Sequence, residues 1–172
     1  IVAKALAELA SMIAPGVTTA QLDKRADEFI RDHGAVPGFL GYNGFPNSIC
    51  TSVNEQIVHG IPSDKTVLND GDIISIDCGA YINGFHGDSA YTFTVGEVKQ
   101  EILDLLRTTK ESLYLGIEQA VEGKRLGDIG NAIQSHCEAH GYSVVREMIG
   151  HGVGRNLHES PEVPNYGRKG YG

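Results

Sequence analysis

No run in this sequence approaches the roughly eighteen consecutive apolar residues that a membrane-spanning helix needs, so a helical span is not expected. Cysteine is scarce. The three present, Cys50, Cys78 and Cys137, are odd in number, widely spaced and without a C-x-x-C step, which argues against a disulfide framework or a zinc knuckle. Reduced thiols in a cytoplasmic setting are the expectation. Positive charge is also in deficit, with 14 Lys and Arg against 22 Asp and Glu, a net charge of −8 and a pI near 5.3. That balance excludes the basic footprint of a nucleic-acid binder and keeps the chain soluble. The opening "IVAKALAELASMIA" is amphipathic but lacks a basic leading region and a cleavage site, so it does not read as a signal peptide. The chain begins on Ile1 and ends in the turn-rich "GRKGYG"; both ends read as cut.

What is present is enough for one globular domain: 172 residues, 41% of them hydrophobic. Apolar positions at Val2, Leu6, Leu9 and Ile13 predict a first helix over residues 1–14, stopped by Pro15-Gly16. Thr19 is the expected N-cap of a second helix, closed by Gly34. A Gly-, Pro- and aromatic-rich stretch follows, with a short strand at Ser48–Val53 and then a β-hairpin. Residues 98–120 and 126–140 return to helix, and "YSVVREMIG" reads as a strand. One internal similarity stands out. "GVTTAQLDKRADEFIRDHG" from Gly16 aligns with "GKRLGDIGNAIQSHCEAHG" from Gly123 at a constant offset of 107, and both end in His-Gly. The repeat predicts an α+β fold of two pseudo-symmetric halves, about 1–97 and 98–172, with a site between them.

Within the hairpin, "IISIDCGAYINGFHGDSA" places two aspartates, Asp77 and Asp88, in an apolar strand context. Aspartate is a poor strand former and is rarely buried alone. Asn83-Gly84 signals a two-residue type I′ turn. With Ile82 facing Phe85, Asp77 pairs with Ala90, and Asp88 becomes its diagonal neighbour on the same face, about 5–8 Å away at Cβ. Two anions so close need something between them. A shared proton, a structural pair satisfied by arginine or backbone donors, and a divalent cation all remain open on this geometry.

Histidines bear on the third option. His151 and His158 stand in "GHGVGRNLHE", and His59 stands in "IVHGIP". Each alone is more often a packed or loop residue; together with the aspartates they point toward a metal site. His86, beside Asp88, is a candidate orienting partner. His33, His136 and His140 fall at helix ends and read as structural.

Taken together, "SICTSVNEQIVHGIP", "IDCGAYINGFHGDSAYTF" and "GHGVGRNLHESPEVPNYG" resemble the motifs of bacterial-type (type I) methionine aminopeptidases, and the resemblance runs the length of the chain. The last motif is closer to type I than to type II or proline-peptidase relatives. The resemblance implies a pita-bread fold and a cytoplasmic, monomeric hydrolase that removes initiator methionine from nascent proteins, with the ribosome as a partner and no membrane or specific nucleic-acid site. It implies two divalent metal ions (Co, Mn, Fe, Zn or Ni), with Asp77, Asp88 and His151 as three of five ligands and Asp88 bridging. By the same carry-over, His59 contacts the scissile nitrogen and His158 the carbonyl oxygen, while Phe39, Tyr42, Phe45, Cys50 and Leu157 line the methionine pocket. Relatives often carry cysteine at position 39 and phenylalanine at 157; the pocket stays apolar with either set.

The family's other two ligands are glutamates in a downstream region, one of them the general base, and the chain ends before both. Glu159 and Glu162 do not match those positions. A non-catalytic pita-bread binding module is the alternative, disfavoured by intact Asp77, Asp88 and His151. The 172-residue chain by itself is therefore expected to hydrolyse little or no Met-Ala-Xaa peptide with Co²⁺ or Mn²⁺ present, and robust turnover in that assay would refute the expectation.

Overall fold

The computed structural model describes residues 1–172. They form two compact units: Ile1–Lys99 with Val153–Leu157, and Gln100–Gly152 with His158–Gly172.

The first unit opens with α1 (Val2–Ala10), shorter than its apolar periodicity predicts. Ser11 ends it: the Ser11 hydroxyl and backbone N–H both donate to the Glu8 carbonyl, satisfying a group the helix leaves open. Helix α2 (Thr19–Asp32) is capped by Thr18, one residue before the expected Thr19. The Thr18 hydroxyl accepts from the Gln21 backbone, and the Gln21 side chain accepts from the Thr18 N–H. Thr19 is instead buried, with its hydroxyl bonded to the Ser63 carbonyl. With Thr19 as the cap, the third helical position would be Leu22, whose side chain cannot accept that second bond, so the box forms at Thr18.

These helices cover one face of an antiparallel sheet. Strand β3 (Ile73–Ile82) is central. It pairs along one edge with β4 (Phe85–Thr94) and along the other with β2 (Ile49–Val53) and the two-residue β1 (Val36–Pro37). Period-2 alternation sends Ile74, Ile76, Cys78 and Ala80 to the helix side. There they pack on Leu6, Leu9, Leu22, Ala26 and Ile30. Full burial of each leucine or isoleucine contributes about 1.5–3 kcal/mol. The partly exposed Arg25–Glu8 ion pair between the helices is screened by solvent and contributes little. Apolar packing therefore decides how the helices sit on the sheet. Strand β2 is tied to α2 by Asp23, whose carboxylate accepts from the backbone N–H of Ser48 (2.8 Å) and Ile49 (3.0 Å) and from the Asn47 amide.

The second unit contains α3 (Gln100–Glu118), α4 (Leu126–Ala139), and a small antiparallel pair, β5 (Gly150–Gly152) with β6 (Glu159–Val163). Helices α3 and α4 meet closely at Gly116, where a methyl group would press on the Ile133 side chain at 2.9 Å. The expected strand over "YSVVREMIG" is not formed: residues 142–149 are irregular, and only Gly150–Gly152 pairs. Val145 and Met148 are exposed, and that stretch lacks the ladder partner on which a strand depends. Its partner for β5 is β6, which carries no alternation signal and was not expected.

The repeat is visible residue for residue. Helices α2 and α4 are both 14 residues long, and each of their ends is separated by the same offset of 107. His33 and His140 are their C-caps, followed by Gly34 and Gly141 at φ +75° and +83°. The corresponding N-terminal position of α4 is served by Asp128, which accepts from the Arg125 N–H (2.8 Å) and from Gly170 (2.8 Å).

Those two backbone donors, Arg125 first, hold the Asp128 carboxyl below its ordinary value of 3.8. A lowered folded-state value means that its contribution is complete above the unfolded value and is lost as acid titrates the folded carboxylate. Urea unfolding should therefore show Asp128→Asn destabilised at about pH 6, with the difference from the parent narrowing as the pH is taken below the ordinary carboxylate range.

Candidate functional site

The face of the first unit's sheet turned away from the helices carries the polar groups. The Asn83-Gly84 turn has both residues at positive φ, +54° and +84°, as a type I′ turn requires. It sets Ile82 opposite Phe85, Asp77 opposite Ala90 and Gly79 opposite Asp88. Asp77 and Asp88 are thus diagonal neighbours on one face, as the turn predicts. Cys50 is Asp77's partner on the other side of β3.

The two carboxyls are close enough to share a hydrogen bond. Burial, and then the negative charge of Asp88, push the Asp77 carboxyl above its ordinary range. One Asp77 oxygen, Oδ1, is buried without any hydrogen-bond partner. A purely structural aspartate pair would have that oxygen satisfied, because a buried acceptor without a donor costs about 1–3 kcal/mol. A cation supplies what is missing: positive charge, and a bond to a hard oxygen. These residues fit a divalent ion.

The neighbouring thiols do not compete for that role as anions. Burial, reinforced by Asp77 and Asp88, raises Cys50 and Cys78 each to about 12. Cys50 lies on the aspartate face, and Cys78 points into the core.

Beside Cys50, the structure gathers four of the five predicted pocket residues: Phe39, Cys50 and Leu157 are buried together, and Phe45 packs on them. The glycine-rich loop makes this possible. Gly41 and Gly44 adopt φ +80° and +81° around the 3-10 turn Tyr42–Gly44, and the Gly41 N–H donates to the Phe45 carbonyl. Tyr42 is 39% exposed and stands outside that cluster. The Phe39 ring lies directly over Gly79, where any Cβ would collide with it. Sequence reading passed over Gly79, although a glycine inside a strand is itself a signal of close approach.

His59 is exposed and adopts φ +60°, a left-handed conformation that costs a non-glycine residue energy. The backbone locks it there. Gly60 donates to the Ser52 hydroxyl (3.1 Å), and the Gly60 carbonyl accepts from Thr51 (2.8 Å), so the His59-Gly60 step is pinned to the edge of β2. Ser52 and Gly60 both fall within "SICTSVNEQIVHGIP", but their spacing alone does not reveal this contact. His86 lies on the aspartate face, but its ring packs on Tyr81 (4.7 Å between centroids) and its backbone N–H donates to Gly154. It anchors the Val153–Leu157 segment rather than an aspartate.

In the second unit, His151 and His158 come together, with ring centroids 4.0 Å apart. His151 Nδ1 faces the Gly152 carbonyl at 2.9 Å and must donate to it, which orients the ring and sets the tautomer. His151 and Gly152 flank a register shift in the β5–β6 pair, where Glu162 is the strand partner of His151. His33 and His140 are C-caps whose Nδ1 atoms donate to the carbonyls of Phe29 (2.7 Å) and His136 (2.8 Å).

Paired carboxylates with an unsatisfied oxygen stand on a sheet face beside an apolar pocket, and residues 1–171 match the model of metallopeptidase family M24, to which the chain belongs. Over its full length it is 55% identical to the methionine aminopeptidase of Clostridium acetobutylicum, of which it covers 69%. It is 54% identical to methionine aminopeptidase 1 of Bacillus subtilis, with 97% of this chain and 67% of that protein aligned. Among solved structures, the methionine aminopeptidase of Rickettsia prowazekii superposes with a TM-score of 0.96 at 44% identity, covering 98% of this chain and 68% of that one. The fold is therefore the pita-bread metallopeptidase fold, and family membership implies divalent-metal binding.

The collision at Gly79 gives a test of the pocket's construction. Gly79→Ala should displace the Phe39 ring and destabilise the protein by about 1–3 kcal/mol. Chemical denaturation of the single and double variants should show Phe39→Ala relieving much of that cost.

Proposed function

We propose that this chain carries the metal-binding and substrate-binding face of a methionyl aminopeptidase, a hydrolase that removes the N-terminal methionine of newly made proteins. The observation that carries the reading is the buried, partnerless Oδ1 of Asp77 beside Asp88, in a chain 55% identical to a methionine aminopeptidase. Asp77, Asp88 and His151 would hold the metal, with Asp88 as the residue best placed to be shared if two ions bind. When bound, such ions supply Lewis acidity and an acidified water.

The remaining roles belong to the chain's own residues. Asp77, through its negative charge, also helps to hold the free amine of the substrate, which restricts cleavage to the first peptide bond. His59, pre-set in its left-handed conformation, contacts the nitrogen of that bond. His158 donates a hydrogen bond to the carbonyl oxygen as charge develops there, a contribution that is larger in the transition state than in the ground state. Phe39, Phe45, Cys50 and Leu157 receive the methionine side chain in an apolar, water-poor surface, and Tyr42 closes its outer side. The neutral Cys50 thiol contributes shape and polarisability and is no nucleophile.

Co²⁺, Mn²⁺, Fe²⁺, Zn²⁺ and Ni²⁺ all suit such a mixed oxygen and nitrogen set. Substrates are N-terminal methionine peptides of nascent chains, met in the cytoplasm by a monomeric enzyme, with the ribosome as the place of encounter.

Asp88→Asn keeps the shape of the hairpin while removing the charge that two ions would share. Calorimetric metal titration is expected to show a lower metal stoichiometry than the parent. Unchanged stoichiometry would overturn the bridging role.

A further inference from the structure

Helices α3 and α4 of the second unit bring three ligating side chains together outside the residues already assigned. Ligand atoms of Glu111, His136 and His140 all lie within 4.8 Å of one another. We propose that these three residues form a separate binding site for one divalent transition-metal ion of the Zn²⁺, Ni²⁺ or Co²⁺ class, clipping α3 to α4.

The geometry prepares each donor. His136 and His140 are four residues apart on one face of α4, with ring centroids 4.4 Å apart. His140 Nδ1 donates to the His136 carbonyl at 2.8 Å, so its Nε2 carries the lone pair and its ring is oriented by a backbone acceptor. That is the arrangement usual for a metal-binding histidine. His136 Nε2 already meets Glu111 Oε2 at 3.0 Å. Two ligands each about 2.0–2.2 Å from one ion stand roughly 3.0–3.4 Å apart in octahedral or tetrahedral geometry. The Glu111–His136 pair is at that spacing without rearrangement. His140 is exposed and Glu111 half-buried, so rotation of those two side chains closes the remaining gap. The other Glu111 oxygen is taken by Arg107 at 3.3 Å, which orients the carboxylate and leaves Oε2 for the ion. Two imidazoles and one carboxylate favour a borderline cation over Mg²⁺ or Ca²⁺.

The internal repeat supplies a comparison. In α2 the same cap is present, with His33 Nδ1 on the Phe29 carbonyl at 2.7 Å and the two rings stacked at 4.1 Å. The cap and the ring contact therefore need no second histidine. At an offset of 107, His136 replaces Phe29, and Glu111 stands where the first half has Lys4. Only the second half combines three ligands, so the cluster is not a by-product of the shared helix ending.

The test titrates Zn²⁺ calorimetrically into metal-stripped protein carrying Asp88→Asn, which weakens the site on the hairpin. One equivalent should remain bound in that background and be lost on adding His140→Gln or Glu111→Gln. In otherwise wild-type protein, His140→Gln should lower the Zn²⁺ stoichiometry by one. Histidine-ring NMR should show the His140 Nε2 resonance shifting on Zn²⁺ addition and unmoved by Mg²⁺. Retention of the equivalent in both double variants, or an unmoved His140 resonance, would overturn the site. Failure of the aminopeptidase reading would instead appear as unchanged metal binding on Asp88→Asn itself, with the His140 response intact.

Discussion

The structure of the first unit turns on one constraint: two carboxylates must lie side by side on a sheet face that is otherwise being emptied of water. Asp77 and Asp88 repel each other in that setting, and their approach is imposed by the backbone through the Asn83-Gly84 turn and the ladder it starts. A slip of one residue in that register would send one aspartate into the packed face with Ile74, Ile76 and Cys78. The apolar packing of α1 and α2 against the opposite face therefore fixes the polar face as well. Core stability and metal affinity are two readings of the same register.

Around the aspartates, stiffness comes from backbone contacts more than from side-chain polarity. Asp23 fastens the start of β2 to α2 through two main-chain N–H groups, and Gly60 fastens its outer edge through Thr51 and Ser52. Cys50 sits between those fastenings, opposite Asp77. The apolar pocket is thus anchored at its base by the strand that flanks the carboxylates, while its aromatic wall rides on a glycine-rich loop. Gly79 lets Phe39 descend onto the sheet, so the absence of one side chain shapes the pocket as much as the presence of the others.

Sequence made the hairpin legible because an Asn-Gly turn determines pairing by simple counting, and every pair then follows. It also made the duplicated helices legible, since apolar period and cap chemistry recur at a fixed offset. The gathering of Phe39, Phe45, Cys50 and Leu157 followed from the family resemblance and not from spacing, because a contact between residue 39 and residue 157 leaves no local trace. Asp23 was invisible for a related reason: an acidic residue in an amphipathic helix reads as a solvated one until its backbone partners are known. The strand over residues 142–149 failed because β-branched residues signal a strand only where a partner edge exists. The single-residue error at Thr18 and Thr19 reflects adjacent residues with equal capping chemistry, resolved only by which one Gln21 can reach.

The equal lengths of α2 and α4 have an evolutionary consequence. A helix whose ends are set by a threonine or aspartate box at the start and a His-Gly pair at the finish keeps its length and phase whatever its exposed positions become. After duplication of such a unit, one copy is free to explore new surface chemistry without risk to the framework. Phe29 in one copy and His136 in the other show that freedom in use: the same ring-on-ring contact next to the same terminal imidazole, in one case inert and in the other able to coordinate. Ancestral symmetry in this chain is thus retained in its punctuation and lost in its vocabulary.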